Sequence, residues 1–257
     1  MSKIKVTFLG TGTSQGVPMI GCDCAVCTST DKRDKRLRSA ILVETKNVNF
    51  VVDTGPDFRY QMLRENVTKL DAVLFTHEHK DHIAGLDDVR GFNYRMKKSM
   101  EIYASEQVQI ALKREFYYAF GDNKYPGVPQ LNLNTIENKT FEIEGIPIIP
   151  IQVMHYKMPV FGYRIGNFAY ITDANSITED ELKKLEGVEV MVINALRKIP
   201  HISHFSLPEA LEIIERVNPK QAYLTHFSHQ MGKYEEVVKE LPKNVLPAHD
   251  GLVVEIG

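Results

Sequence analysis

Potential metal ligands are concentrated in the segment Leu74–Gly85, which reads LFTHEHKDHIAG. The side chains concerned are His77, His79, Asp81 and His82. Histidine and carboxylate together form the ligand set that proteins use for zinc, manganese or iron. A chance cluster of surface histidines is the alternative, but the nine histidines of the chain would rarely fall in this pattern by accident. The segment therefore predicts a metal site.

The elements around this segment explain how it could hold two metal ions. The apolar run Ala72–Phe75 before it predicts a strand, and alternate residues of an extended chain face the same side. His77 and His79 could therefore bind one ion together. A helix that begins just after them would present Asp81 and His82 to a neighbouring ion.

Strands and helices alternate along the chain, and polar residues end several strands. Strands are predicted at Lys3–Leu9, Ala40–Glu44, Asn49–Asp53, Ala72–Phe75, Glu101–Ala104, Ile146–Val153, Phe161–Ile165, Phe168–Thr172, Val188–Ile193, Ala222–Thr225 and Leu252–Ile256. Helices are predicted at Phe58–Glu65 (with Asp57 as N-cap), Ser105–Phe120, Thr178–Leu185, Leu207–Val217 and Tyr234–Leu241, and a loop at Gly121–Gln130. This order predicts a layered α/β sandwich, with two sheets inside and helices outside.

Composition narrows the class of protein. The chain has 257 residues, 43% of them hydrophobic, and a formal net charge of −2, which argues against a broad nucleic-acid-binding surface. The basic stretch Lys32–Arg38 is interpreted as solvated surface. The N-terminal apolar run is too short for a signal peptide, and no apolar stretch reaches membrane-spanning length. We therefore expect a soluble, cytoplasmic protein with no membrane partner.

The segment resembles the HxHxDH signature of the metallo-β-lactamase superfamily, and the match is complete. The resemblance implies an αββα sandwich, in which two mixed β-sheets are flanked by helices, formed by residues 1–257 as one domain. It also implies a dinuclear metal site at the sheet edges. Three further ligands are implied at the ends of later strands: His155, Asp173 and His226.

The resemblance also divides the ligands between the two ions. His77, His79 and His155 are expected on one ion, and Asp81, His82 and His226 on the other. Asp173 is expected to bridge them. Asp53, in NFVVDTG, matches a superfamily position that supports the site without binding metal. The alternative is that Asp53 is an ordinary turn residue at the end of a strand, with no role in the site.

The three cysteines form a second candidate metal site. Cys22, Cys24 and Cys27 lie in GCDCAVC, whereas a disulfide framework would scatter an even number of cysteines. A closed structural zinc site needs a fourth ligand, and His229, three residues after His226, is the best candidate. Free thiols are the alternative.

These motifs together give a narrower resemblance that spans nearly the whole chain. The glycine-rich start FLGTGTSQGVP, then GCDCAVC, HEHKDH and LTHFSH, resembles the PhnP-type phosphodiesterases. That resemblance implies a structural zinc, a manganese-dependent opening of 5-phosphoribosyl 1,2-cyclic phosphate, and a homodimer. The coenzyme-biosynthesis protein PqqB has the same cysteine cluster but a degraded HxHxDH motif, so the intact motif here argues against that branch.

The resemblance also points to a proton donor. PhnP-like enzymes have a histidine before a helix where this chain has His204, with His201 as its rival, whereas His249 is assigned no role. His204 and Asp81 are therefore the candidate catalytic residues. The expected mechanism is attack on phosphorus by a metal-bridging hydroxide. The Gly10–Gly16 loop is a weaker candidate for binding a phosphate through its backbone N–H groups.

Three functions remain as hypotheses. A phosphodiesterase for a cyclic or other small-molecule phosphate substrate, which uses two manganese, zinc or iron ions, is favoured. A nuclease that processes the 3′ end of tRNA is the second, but such enzymes hold RNA with a long Gly/Pro-rich arm. Only Met96–Gln130, with Lys97, Lys98, Lys113 and Arg114, could substitute for that arm here. A non-enzymatic, metal-containing accessory protein is the third, and the intact ligand set argues against it.

Overall fold

The structure is a computed structural model that describes residues 3–121 and 125–257. The strands are β1 Ile4–Gly10, β2 Ala40–Glu44, β3 Asn49–Val52, β4 Ala72–Leu74, β5 Met100–Ala104, β6 Leu131–Thr135, β7 Phe141–Ile143, β8 Ile146–His155, β9 Met158–Ile165, β10 Phe168–Ile171, β11 Ser176–Ile177, β12 Val190–Asn194, β13 Gln221–Thr225, β14 Val245–Pro247 and β15 Val253–Ile256. The α-helices are α1 Phe58–Arg64, α2 Lys80–Ile83, α3 Arg90–Met96, α4 Glu106–Glu115, α5 Tyr117–Phe120, α6 Glu179–Lys183, α7 Leu207–Val217 and α8 Tyr234–Glu240.

The strands form two mixed sheets. The first has the order β15-β1-β2-β3-β4-β5-β6, and the second has the order β11-β8-β9-β10-β12-β13-β14, with β7 paired to β8. In the first sheet β3 to β6 are parallel, and in the second β10, β12, β13 and β14 are parallel. The predicted α/β sandwich of two mixed sheets is therefore confirmed.

Three apolar clusters hold the layers together. One lies between the sheets, and the other two lie between each sheet and its helices. Strand β3 shows how one short strand serves two clusters: Phe50 and Val52 belong to the inter-sheet cluster, while Val51 belongs to the cluster beneath the helices. Side chains alternate between faces in this way because the pleat has a period of two residues.

The structure corrects several predicted elements. The helix predicted at Ser105–Phe120 is broken at Phe116, where φ is −115° and ψ is 37°, although Ser105 does cap it. Strands β6, β7, β11 and β14 and helix α3 were not predicted. Of these, β6 and β14 are short edge strands. The alternating LNLNT of β6 carries asparagine, and β14 contains a proline, and both residue types are depleted in strands. Within the predicted loop Gly121–Gln130, residues 122–124 lie outside the described residues.

The stretch Lys32–Arg38 was interpreted as solvated surface, and this is wrong for Arg36. The Arg36 side chain is buried, donates to the Thr11 hydroxyl at 2.8 Å and to the Ala248 carbonyl at 2.6 Å, and lies over the Phe227 ring. A buried guanidinium needs such acceptors to offset the loss of water. This stretch therefore anchors the N-terminal loop to the core.

The structure modifies two smaller predictions. Asp57 is the N-cap residue of helix α1, as predicted, but its carboxylate accepts from the backbone N–H of Arg38 at 2.9 Å and makes no hydrogen bond to the helix. In the glycine-rich loop, the N–H groups of Gly12, Thr13 and Gly16 donate to carbonyls within the protein and are not available for a phosphate. Glycine is needed at residue 12 because a Cβ there would lie 2.9 Å from the Arg36 carbonyl oxygen.

Among residues 3–121 and 125–257, no helix has the length and apolar character that crossing a membrane requires.

Candidate metal centre

The topology brings the ends of several strands to one edge of the sandwich. In the first sheet β3 and β4 are parallel, so Asp53 and the HEHKDH segment follow them on the same side. In the second sheet β8 is antiparallel to β9, and β9 to β10, so β8 and β10 point the same way. Parallel strands have their carboxyl ends at one edge, where ligands collect. His155, Asp173 and His226 therefore reach the same place from different strands.

The first group of side chains is His77, His79 and His155. Their ligand atoms lie within 4.8 Å of one another. The His77 Nε2 and His79 Nδ1 atoms are 3.1 Å apart. The His155 Nδ1–H donates to the Ser203 carbonyl at 2.7 Å, which leaves the second ring nitrogen of His155 free to bind. The extended segment that carries His77 and His79, and the β8–β9 hairpin that carries His155, thus bring three imidazole rings together.

The second group is centred on Asp173. Asp81, Asp173 and His226 place ligand atoms within 4.8 Å of one another. The His82 Nε2 atom lies 3.2 Å from the Asp81 Oδ2 atom and 3.2 Å from the Asp173 Oδ2 atom. Helix α2 begins at Lys80, as the sequence predicts, and its first turn presents Asp81 and His82 together. Asp173 also groups with His77 and His82, so it lies between the two sets.

These residues fit divalent metal ions. The His82 Nε2 and His226 Nε2 atoms are buried without a hydrogen-bond partner in the described part of the chain. Buried polar atoms almost always have a partner, and an imidazole nitrogen that lacks one is a natural metal ligand. Their neighbours are carboxylate oxygens and further imidazoles, which is the donor set for zinc, manganese or iron.

Asp53 contacts the centre through another residue. Its carboxylate accepts from the His82 Nδ1–H at 2.7 Å and from the Thr76 N–H and hydroxyl at 2.9 Å each. The bond to His82 fixes the tautomer that leaves His82 Nε2 free. The Thr76 hydroxyl also lies 2.9 Å from the His77 Nδ1 atom. One buried carboxylate therefore orients ligands of both groups.

Burial and charge act in opposite directions on the pKa values of these groups. Burial, assisted by His82, holds the pKa of His77 well below its usual value. For His82, burial is outweighed by the Asp81 and Asp173 carboxylates, and its pKa is raised well above normal. For Asp173, burial is outweighed by His226 and His82, and its pKa is lowered. The Asp173 carboxylate is therefore ionised, as a metal ligand must be, whereas His82 would have to lose its proton to bind a metal ion.

The backbone is strained where three of the polar side chains leave their strands. Asp53, Asp173 and His226 have φ values of 68°, 56° and 59°, in the left-handed region. Each such residue other than glycine costs about 1–3 kcal/mol, and such strain concentrates at functional sites. The left-handed turn directs each side chain from the strand end toward the centre. No pattern in the sequence indicated these left-handed turns.

A cleft of about 690 Å³ opens beside the first group. It is lined by His79 and His155 and by wall residues from other segments: Gln107, Tyr156, Lys157, Met158, Pro159, Ile202 and Ser203. These wall residues were not predicted from the sequence. Only the position of Tyr156 and Lys157, directly after His155, could have indicated them.

The candidate proton donors lie in different places. His204 is beside the centre: its Nδ1 atom is 3.7 Å from the Asp173 Oδ1 atom, and its ring stacks on His226. Burial and His226 lower the pKa of His204 to about 3. His204 also groups with His155 and Asp173 as a potential ligand, a role that was not predicted from the sequence.

The other two candidate histidines lie further from the centre of the group. The ring centroid of His201 is 5.4 Å from that of His204, and the His249 ring packs against Tyr234.

The cysteines converge with the expected histidine. Cys22, Cys24, Cys27 and His229 place their ligand atoms within 4.8 Å of one another. The His229 Nδ1 atom lies 3.2 Å from the Cys22 Sγ atom and 3.4 Å from the Cys24 Sγ atom. The backbone N–H of Cys27 lowers the pKa of Cys24 to about 6, whereas burial raises the pKa of Cys27 to about 11. Three sulfurs and one imidazole match a closed zinc site.

Comparison with known proteins decides the family. The family model described as a beta-lactamase superfamily domain matches residues 48–227, more than half of the 257 residues. The chain belongs to the metallo-β-lactamase superfamily. A crystal structure of a diphosphatase from the PhnP family superposes with a TM-score of 0.93 and 39% identity, over 99% of this chain and 97% of that one. This superfamily member is therefore PhnP-like, as its motifs predict.

Two sequence relatives complete the comparison. An octanoyltransferase of Porphyromonas gingivalis is 36% identical over 252 residues, which are 97% of this chain and 51% of the relative. A ribonuclease Z of Staphylococcus epidermidis is 25% identical over 167 residues, which are 63% of this chain and 49% of the relative. This metallo-β-lactamase chain thus spans about half the length of the curated relatives it matches.

Proposed function

We propose that this chain is a dinuclear metal-dependent hydrolase that cleaves a phosphodiester or a diphosphate in a small molecule, with residues 1–257 acting as one domain. The convergence of the His/Asp groups beside an open cleft is the observation that carries the proposal. The ions proposed for it are manganese or zinc, with iron as a third choice, and a structural zinc in the cysteine cluster. A homodimer is the assembly proposed for it.

The ligand assignment follows the two groups. His77, His79 and His155 would hold one ion, and Asp81, His82 and His226 the other, with Asp173 shared between them. Divalent ions in such a site polarise phosphoryl oxygens and lower the pKa of water. The protein supplies fixed ligand orientation through Asp53 and Ser203 and a cleft that admits the substrate.

His204 is proposed as the residue that contacts the departing oxygen. Its Nδ1 atom is buried without a hydrogen-bond partner in the described part of the chain and lies beside Asp173 at the edge of the centre. The lowered pKa keeps the His204 ring neutral, and a neutral ring N–H there can donate a hydrogen bond to the oxygen that leaves phosphorus. His204→Gln should therefore slow esters with an alkoxide leaving group more than esters that release p-nitrophenolate. Equal slowing of both would contradict the assignment.

Two substrate classes are consistent with the relatives. The PhnP-type resemblance supports a small cyclic phosphate such as 5-phosphoribosyl 1,2-cyclic phosphate. The PhnP-family diphosphatase, 39% identical, supports a diphosphate. The octanoyltransferase is matched over only 51% of its length, and the acyl transfer in its name is not proposed here, because the His/Asp groups suit hydrolysis.

Processing of tRNA is the second candidate, because a ribonuclease Z is among the relatives. The region Met96–Gln130, the only substitute for an RNA-holding arm, contains strand β5 and helices α4 and α5. Val108, Leu112 and Phe116 anchor it to the cluster between the first sheet and its helices. Elements anchored in this way are poorly suited to reach around an RNA, so the small-molecule function is favoured.

A substrate panel tests the proposal. The protein is supplied with Mn²⁺ and assayed on bis-p-nitrophenyl phosphate, 5-phosphoribosyl 1,2-cyclic phosphate, adenosine 2′,3′-cyclic phosphate, ADP-ribose and precursor tRNA. We expect turnover of small phosphates, lost in Asp81→Ala and His77→Ala variants that still fold. Asp180→Ala, an exposed carboxylate outside both groups, is the control. Turnover of tRNA alone, or of nothing, would show that the proposal is wrong.

A further inference from the structure

The tip of the β8–β9 hairpin forms one wall of the cleft in an unusual backbone conformation. His155 pairs with Met158, so Tyr156 and Lys157 are the two residues of the turn. Tyr156 has a φ of 57°, whereas Lys157 is not in the left-handed region. Turns with a positive φ only at the first central residue favour glycine there, and a bulky residue is strained. A tyrosine at this position costs stability, which indicates that its side chain has another role.

The turn is held rigidly beside the metal centre. The Tyr156 N–H donates to the Asn175 side-chain carbonyl at 2.8 Å, and the Asn175 amide donates to the Ile202 carbonyl at 3.1 Å. The His155 ring donates to the neighbouring Ser203 carbonyl. The hairpin tip and the loop that carries His204 are therefore joined through Asn175 and His155. A rigid wall can position a substrate without losing conformational entropy on binding.

The wall offers an aromatic face, a cation and apolar side chains. The Tyr156 side chain is 50% exposed although it lines the cleft. The Lys157 Nζ atom lies over one face of that ring, 5.2 Å from its centroid, and Lys157 is also exposed. Met158 and Ile202 add apolar surface to the same cleft. The hydrolysis of a phosphate does not itself use an aromatic ring, so this surface could bind another part of a substrate.

We propose that Tyr156 and Lys157 form a subsite for a planar aromatic ring attached next to the scissile phosphate. The ring stacks on Tyr156, and Lys157 contacts a phosphate that the substrate carries beside it. The inference rests on the proposed hydrolase function and narrows its substrate class. It favours nucleotide esters and nucleotide diphosphates over a ribose phosphate without a base.

A kinetic comparison tests this selectivity. The value of kcat/KM is measured for adenosine 2′,3′-cyclic phosphate and for 5-phosphoribosyl 1,2-cyclic phosphate, which lacks a base. In Tyr156→Ala we expect the ratio of the two values to fall about tenfold, as loss of one stacking contact predicts. Tyr156→Phe should restore most of the ratio. Tyr60→Ala, which removes a tyrosine that is 59% exposed on helix α1, should leave it unchanged. An unchanged ratio in Tyr156→Ala would overturn the subsite while the hydrolase proposal stands.

A binding experiment decides the same question without turnover. The chain contains no tryptophan, so Tyr156→Trp introduces a single indole whose fluorescence reports on that position. We expect AMP to quench it at concentrations where ribose 5-phosphate does not, and we expect weaker AMP binding when Lys157→Ala is added. Tyr60→Trp is the matched control. Failure of AMP to quench the indole at position 156, or equal quenching in the control, would overturn the subsite even if every substrate of the panel were hydrolysed.

Discussion

Asp53 acts on the candidate metal centre only through other side chains. It bonds to His82 at 2.7 Å and to Thr76, which in turn lies beside His77. The left-handed backbone at Asp53, with a φ of 68°, directs the carboxylate inward from the end of β3. A carboxylate in this position orients an imidazole and makes it a better ligand.

Asp53→Asn should therefore weaken metal binding without removing a ligand. We expect the dissociation constant for Mn²⁺ or Zn²⁺ to rise about 10- to 100-fold, because the amide no longer fixes the His82 tautomer as a carboxylate does. Competition with a chromophoric chelator measures the constant. Asp180→Asn is the matched control, since that carboxylate is exposed and pairs with Lys183. Equal affinity in wild type and Asp53→Asn would show that Asp53 is an ordinary turn residue.

At the scale of elements, the loop after β3 and the short helix α2 are in direct backbone contact. The Thr54 N–H donates to the His82 carbonyl at 2.7 Å, and the Gly85 N–H donates to the Thr54 carbonyl at 2.8 Å. A Cβ built on Gly55 would lie 2.1 Å from the Asp81 carbonyl oxygen. Glycine is required at residue 55 because the two backbones approach so closely.

Gly55→Ala should displace helix α2 and with it Asp81 and His82. We expect lower thermal stability and lower metal occupancy together, because a methyl group cannot fit against backbone atoms. Differential scanning calorimetry and elemental analysis measure the two effects. Gly91→Ala is the control: its Cβ meets no atom within 4 Å, and alanine favours a helix such as α3. Normal metal content in Gly55→Ala would contradict the proposed coupling.

The cysteine cluster joins two elements that are far apart in sequence. His229 contacts the sulfurs of Cys22 and Cys24, so the cluster ties the N-terminal loop to the segment that follows β13. That segment begins with His226, a proposed ligand of the active centre. A metal in the cluster would hold both segments in place.

Cys24→Ala should lower the midpoint of thermal unfolding by several degrees and remove zinc from the protein, because structural zinc contributes folding free energy. Treatment of the wild type with a strong chelator should produce a similar loss of stability. Asp23→Ala, an exposed neighbour in the same loop, serves as control. If Cys24→Ala keeps both the stability and the zinc content of the wild type, the three cysteines are free thiols.

At the scale of the whole molecule, the two sheets are joined by apolar packing and by one notable hydrogen bond. The Tyr163 hydroxyl, on β9 of the second sheet, donates to the Phe75 carbonyl at the end of β4 in the first sheet, at 2.5 Å. Both groups are buried directly beneath the HEHKDH segment. This bond fixes the distance between the strand that supplies His77 and the opposite sheet.

Tyr163→Phe should cost about 1–3 kcal/mol of unfolding free energy, because it leaves the Phe75 carbonyl buried without its partner. Guanidinium denaturation measures the change. Tyr60→Phe, which removes an exposed hydroxyl, should change the free energy by no more than about 0.5 kcal/mol. A loss of stability no greater than in that control would mean that this hydrogen bond contributes little, and that apolar packing and backbone bonds such as Phe161 N–H to the Thr76 carbonyl join the sheets.

Local patterns in the chain were sufficient to predict a metal site and the class of fold. The spacing in HEHKDH and GCDCAVC, and the alternation of strands and helices, predicted a metal-binding α/β sandwich, because ligand type and hydrophobic period are local properties. The resemblance to known motifs added His155, Asp173, His226 and His229. Local patterns also gave most helices and strands, including Leu207–Val217 with the bounds that the structure has.

The geometry of the centre and of the cleft beside it could not be predicted from these local patterns. The buried Arg36, the left-handed turns at Asp173 and His226, and the wall formed by Tyr156 depend on contacts between segments that are distant in sequence. Edge strands such as β6 and β14 form because a neighbouring strand offers free hydrogen-bonding groups, whatever their own weak propensity. These features depend on packing between segments that are distant in sequence, and local sequence patterns do not describe such packing.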